Sequence, residues 1–252
     1  MEMLALLAFV GGAAILPFLF GDDDAPVEGV DLEIDEGGTV AGTAGADTVT
    51  VTDLVYQLSL DTDAGDDTIV GTAEGDDTLL GGAGIAILSG GAGDDVIHIY
   101  GPSDTGAGYS ERAFGDAGDD TIIMSSLPNG FGPHSQYDGP IVAPGGEGSD
   151  TFVIQTQDVL LDTGLDYGGG VTPDPDGIYT TEAFKIDDFE PGVDQITVDA
   201  DAVTDGGVLA AARLDESTDY KGDPLTDLIL TYENDTQQTI EIVVTLEGAT
   251  GV

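Results

Sequence analysis

Between residues 67 and 153 one short arrangement of polar and apolar positions recurs. An aspartate is followed two places later by a large apolar residue, as in Asp67-Thr68-Ile69, Asp77-Thr78-Leu79, Asp95-Val96-Ile97, Asp120-Thr121-Ile122 and Asp150-Thr151-Phe152. Glycines precede the aspartate. The fullest copy, Gly90-Gly91-Ala92-Gly93-Asp94-Asp95-Val96-Ile97-His98, has nine residues and the form G-G-x-G-x-D-x-U-x, with U large and apolar. Glycine lets the backbone turn where other residues are strained. The alternation after the aspartate predicts a short strand with U turned into a core. Gly81 to Ser89 forms a copy directly before it, in register, with Ala86 in the aspartate position. An outlying copy runs from Gly42 through Asp47 to Val49, and copies at Gly115 and Gly145 follow insertions. A repeat this short cannot bury a core alone, so stacked copies predict an all-β solenoid, a parallel β-roll or β-helix.

The remaining pattern divides the chain. The roll is expected over 37–156, with Gly/Pro- and aromatic-containing insertions at 100–113 and 125–143. Residues 22–36 read as an acidic linker. Over 157–252, the apolar runs 226–232 and 239–246 flank Glu233-Asn234-Asp235-Thr236, a hairpin signal that would cap the roll. Val208 to Arg213, rich in alanine, reads as a short helical turn. Residues 1–21 read as a membrane anchor: positions 3–20 carry no charge, and at 1.5 Å per residue a helix of that length spans roughly 27 Å, near the thickness of a bilayer core. The run has no basic start and no small-residue cleavage site of the kind a secretory signal shows. Ala8 and Gly12 would offer a small contact face to another membrane helix.

The aspartate phase carries the chemistry. Carboxylates and backbone carbonyls are hard oxygen donors of the kind calcium gathers in sets of six to eight. The candidate ligands are Asp47, Asp67, Asp77, Asp95, Asp120 and Asp150, with turn glycines Gly75, Gly93, Gly118 and Gly148. Glu111 lies outside that phase in the sequence and is not expected to ligate.

These copies resemble the hemolysin-type calcium-binding (RTX) repeat family over about residues 40–200. The segment Phe184-Lys185-Ile186-Asp187-Asp188-Phe189-Glu190-Pro191-Gly192-Val193-Asp194-Gln195-Ile196-Thr197-Val198 is similar to one that often follows such repeats. The resemblance implies two repeats per coil of a β-roll, with calcium between turns two repeats apart. Asp77 and Asp95 would then face one ion. Asp67 would pair across a coil with Ala86, which departs from the pattern.

Charge changes the picture further. Fifty acidic residues stand against four basic ones, a formal charge of −46. Self-repulsion on that scale opposes compaction, so folding is expected to be coupled to calcium binding. No basic patch exists to bind nucleic acid. Cysteine is absent, which excludes disulfides and thiolate metal sites. Extracellular modules bind calcium with dissociation constants of about 10⁻⁴–10⁻³ M, which places the repeats in the periplasm or outside the cell.

The sequence therefore predicts a non-enzymatic calcium-binding module anchored through the bilayer by residues 3–20. It would sit in the inner membrane and face the periplasm, as an accessory or structural subunit beside an integral membrane partner. The alternative is a secreted or surface-displayed calcium-dependent adhesion, matrix or filament protein. A hydrolase has least support: there is no H-E-x-x-H, no G-x-S-x-G and no cysteine nucleophile. His98 and His134 show no partner signature and read as surface residues.

Overall fold

The computed structural model describes residues 31–34, 39–41, 48–51, 59–61, 67–71, 74–82, 86–100, 111–125, 140–156, 175–199, 208–218, 221, 224–233 and 239–248. Every regular element among them is a strand. One sheet contains β1 (Asp31–Ile34), β3 (Thr48–Val51), β5 (Thr68–Val70), β7 (Ile87–Ala92), β9 (Arg112–Ala117), β11 (Ile141–Val142), β14 (Ile178–Ile186), β18 (Thr239–Leu246), β17 (Pro224–Glu233) and β16 (Val208–Thr218), in that spatial order, with β12 (Gly146–Glu147) also on β9. The other runs β15 (Gln195–Asp199), β13 (Thr151–Gln155), β10 (Thr121–Ser125), β8 (Val96–Tyr100), β6 (Thr78–Leu80), β4 (Ser59–Asp61) and β2 (Thr39–Ala41).

From β1 to β11 successive strands alternate between the sheets, so each coil there contributes one strand to each. Pairing is parallel from β1 to β18 in the first sheet and throughout the second. The register stacks like on like: Leu79 opposite Ile97, Ile97 opposite Ile122, Ile122 opposite Phe152, Phe152 opposite Ile196. Ile69, Leu88 and Ala113 stack likewise in the facing sheet. All of these except the partly buried Ile196 are fully buried. The U position of the repeat is thus the core, because strand side chains alternate faces with a period of two.

The sheets continue past residue 156. β14 and β15 extend them, and the antiparallel strands β16, β17 and β18 follow. The expected hairpin is β17–β18. Val208 to Arg213 is not helical: it opens β16, eleven residues long and paired along its length with β17. The ends of the two expected insertions are also strand, since β9 starts at Arg112 and β11 at Ile141.

The expected fold class needs correction at the membrane helix. Among the described residues no helix is long and apolar enough to cross a membrane. The anchored reading, with its bilayer contact, inner-membrane placement and integral membrane partner, is therefore not retained. The run 3–20 and the linker up to residue 30 lie outside the described residues.

Candidate metal centre

The aspartates that precede the strands of the second sheet form one row. Asp77, Asp95, Asp120 and Asp150 are each at most 2% exposed. The carboxylates of Asp95, Asp120 and Asp150 each reach back one coil. Asp95 Oδ1 accepts the N–H of Asp77 at 2.7 Å, Asp120 Oδ1 that of Asp95 at 2.8 Å, and Asp150 Oδ1 that of Asp120 at 3.0 Å. The sequence separations are 18, 25 and 30, so both insertions are looped out without disturbing the stack.

The second oxygens are different. Asp95 Oδ2 and Asp120 Oδ2 are buried and receive no hydrogen bond. They lie against glycines of their own coil. A Cβ on Gly90 would collide with Asp95 Oδ2 and come within 2.9 Å of the Gly115 carbonyl. A Cβ on Gly115 would collide with Asp120 Oδ2 and the Gly145 carbonyl. Buried acceptors thus gather at the turns without a donor, an arrangement that is costly unless something positive meets them. All the available atoms are hard oxygens, which suits calcium. Among the described residues no three acidic or histidine side chains converge on one point. Backbone carbonyls would have to complete the ligand set.

The electrostatics carry the same sign. Burial pushes the Asp95 carboxyl up to about 7. The Asp77 N–H bond opposes this shift, and the charges of Asp120, Asp77 and Asp76 add to it. Burial likewise pushes Asp120 up to about 6, with Asp150, Asp94 and Asp116 contributing. Burial also raises Asp150.

The predicted glycines form a second column. Gly93, Gly118 and Gly148 have φ of +132°, +148° and +145°. A Cβ on each would collide with the carbonyl one coil back, those of Gly75, Gly93 and Gly118 respectively. Only glycine fits both demands.

On the opposite edge Asp67 is buried beside Ala86, as expected, through the bond from Ile87 N–H to Asp67 O. The next residue in that row is Glu111, fully buried, with Arg112 N–H bonded to Ala86 O. Glu111, out of phase in the sequence, therefore stacks in the row of Asp67 and Ala86. Ile141 follows it in register and ends the acids there. Asp47 lies outside the described residues.

Two further carboxylates escaped the list of candidates. Asp194 Oδ1 accepts the Asp150 N–H at 3.0 Å and so continues the first row. Asp188 accepts the N–H groups of Gly145 and Gly146 at 2.8 and 3.0 Å, closing the last described turn.

His98 does have partners. Ser125 Oγ donates to Gln155 Oε1 at 2.6 Å, so His98 Nε2 must carry the proton it shares with Ser125 Oγ at 2.7 Å. Nδ1 then accepts from Tyr100 OH at 3.2 Å. A serine nucleophile needs the opposite polarity, with the base accepting from the hydroxyl. Burial lowers the His98 pKa, which keeps the ring neutral. His134 lies outside the described residues.

Comparison with protein families finds four copies of the RTX calcium-binding nonapeptide repeat, over residues 72–98 and 105–123. The repeats are therefore calcium-binding ones. A comparison with curated proteins finds no match. Among solved structures, the chain is similar to the solution structure of the AlgE6R3 subunit of the Azotobacter vinelandii mannuronan C5-epimerase. Identity is 21% over 92% of this chain and 78% of that one. The TM-score of 0.29 is too low for that likeness to bear on shape or activity.

Proposed function

We propose that this chain, whose repeats belong to the RTX calcium-binding nonapeptide family, is a non-enzymatic structural module that calcium folds outside the cytosol, on the cell surface or in secreted matrix. The observation that carries the reading is the row of buried aspartates whose second oxygens, at Asp95 and Asp120, face turn carbonyls without any donor. A calcium ion between consecutive turns meets those oxygens. Asp77, Asp95, Asp120, Asp150 and Asp194 supply carboxylates along one edge. Asp67 and Glu111 supply them along the other, flanking Ala86. The turns at Gly75, Gly93, Gly118 and Gly148 bring carbonyls close. When bound, the ion reverses the local repulsion that a chain of charge −46 imposes on its own compaction.

The setting follows from affinity. Sites of the extracellular class, with dissociation constants of about 10⁻⁴–10⁻³ M, fill only where calcium is millimolar. The chain would then stay unfolded during synthesis and fold on export, since metal binding and folding are one equilibrium in such modules.

The test is a calcium titration of the chelator-treated chain, followed by far-UV circular dichroism and by protease resistance. The β spectrum and resistance are expected to appear together, with a midpoint of about 0.1–1 mM. A midpoint in the range of cytosolic calcium would overturn the setting. Full structure in chelator would overturn the coupling.

A further inference from the structure

β16 is the end strand of the larger sheet. It pairs with β17 on one side and, among the described residues, with nothing on the other. Ala210 to Glu216 are all exposed; Leu214 is 52% and Val208 67% exposed. Free strand edges are templates for further pairing, and proteins usually blunt them with proline, bulges or repeated charge. This strand contains no proline, and its one irregularity lies between Leu209 and Ala211. In a chain with 50 acids and four bases, it holds one Arg, one Asp and one Glu.

We propose that β16 pairs antiparallel with β16 of a second copy of this chain, forming a two-fold dimer through Ala211 to Ser217. Charge selects the register. With Leu214 opposite Leu214 on the axis, Arg213 of each copy faces Asp215 of the other, and both such pairs form. Centring on Arg213 opposes two arginines, and centring on Asp215 opposes two aspartates. Arg213 is already held on its face. Its guanidinium donates to Glu241 Oε1 at 2.7 Å and Oε2 at 3.2 Å, and its Nε to Asp215 Oδ2 at 3.2 Å. Dimerisation then brings together two guanidiniums, two Asp215 carboxylates and two Glu241 carboxylates on one face of the joined sheet, with the pair of leucines on the other face. Such an isologous interface closes on itself and ends growth at two copies. The net charge of each copy opposes the approach, so the dimer belongs to the calcium-loaded, salt-screened state.

The experiment uses the full chain in millimolar calcium and physiological salt, with mass measured by light scattering and sedimentation equilibrium. The expected mass is twice the 25.6 kDa of one chain. Arg213→Asp and Asp215→Arg each place like charges opposite one another and should raise the dimer dissociation constant about tenfold or more. The double variant, with both charges exchanged, should restore it. Leu214→Lys sets two like charges on the axis without touching the bonds of Arg213 and should also give monomer. Circular dichroism in calcium checks that each variant is folded. A monomeric parent, open-ended oligomers, a dimer indifferent to the single exchanges, or a double variant no better than the singles would overturn the proposal. With the calcium-bound β spectrum intact, any of these outcomes leaves the calcium reading standing.

Discussion

Replacing Asp95 by asparagine should stabilise the metal-free fold at alkaline pH and weaken calcium binding at the same time. The amide oxygen keeps the bond from Asp77 N–H, now 2.7 Å to Oδ1. What changes is the ionisation. Burial, with smaller contributions from Asp120, Asp77 and Asp76, pushes the Asp95 carboxyl from 3.8 up to about 7. Without metal, the folded chain holds this proton up to about pH 7, while the unfolded chain releases it near 3.8. Between those values the folded state binds more protons, so its stability falls as pH rises. The loss is absent below the unfolded value and complete above the folded one. About three pH units at 1.36 kcal/mol each give roughly 4 kcal/mol by pH 8, a large part of a typical domain's stability. Asparagine does not ionise and escapes that loss, so roughly 4 kcal/mol is the ceiling of the gain. The parent is expected to be unfolded in chelator at pH 8, so stability is read as the trimethylamine oxide concentration that induces the β spectrum. The variant should need less at pH 8 and about the same at pH 4. Calorimetry should show its calcium affinity reduced by roughly tenfold, because one ligand charge is gone. An equal osmolyte requirement at pH 8, or an unchanged calcium isotherm, would refute the reasoning.

Glu111→Gln should weaken calcium binding, whereas Glu233→Gln, on the exposed end of β17, should leave the isotherm unchanged; equal isotherms for both would remove Glu111 from the ligand row. Gly118→Ala should cost about 2–4 kcal/mol in calcium-induced folding, since φ is +148° and its Cβ would overlap the Gly93 carbonyl; an unshifted urea midpoint in calcium would contradict this. Asp188→Ala leaves the Gly145 and Gly146 N–H groups without their acceptor and should cost about 1–3 kcal/mol, with hydrogen exchange fastest at residues 145–150. Uniform exchange along the roll would contradict a terminal role for Asp188.

The repeat made much of this legible. Asp77, Asp95, Asp120 and Asp150 fall at one phase of a written pattern, and the structure puts them in one buried row. The apolar residue two places on is the core, and Gly93, Gly118 and Gly148 stack because the positive φ that the motif implies is realised. Glu111 was hidden because the insertion before it breaks the frame. It is one carbon longer than the motif's aspartate, and the glycines ahead of it, Gly106 and Gly108, stand one place further from the acid than the motif's G-x-G does. Only the stacking of β9 on β7 reveals its row. Val208 to Arg213 looked helical because alanine favours helices. Pairing with β17 overrides that local preference, as tertiary context commonly does. Ser125, one of the two partners of His98, comes from a strand 27 residues away, a distance over which no local pattern reports. The continuation of both sheets beyond 156 was similarly hidden, because β15 stacks on β13 across 44 residues of sequence.

The central claim is that calcium lies at the turns beside the buried aspartate row. Crystals grown in calcium, with the ion exchanged for terbium, locate it through anomalous scattering. The account predicts peaks spaced along the turns, within ligand distance of Asp95 and Asp120 Oδ2 and of the adjoining glycine carbonyls. A folded chain with no peak beside either carboxylate, or with ions held only on exposed acids, would contradict it.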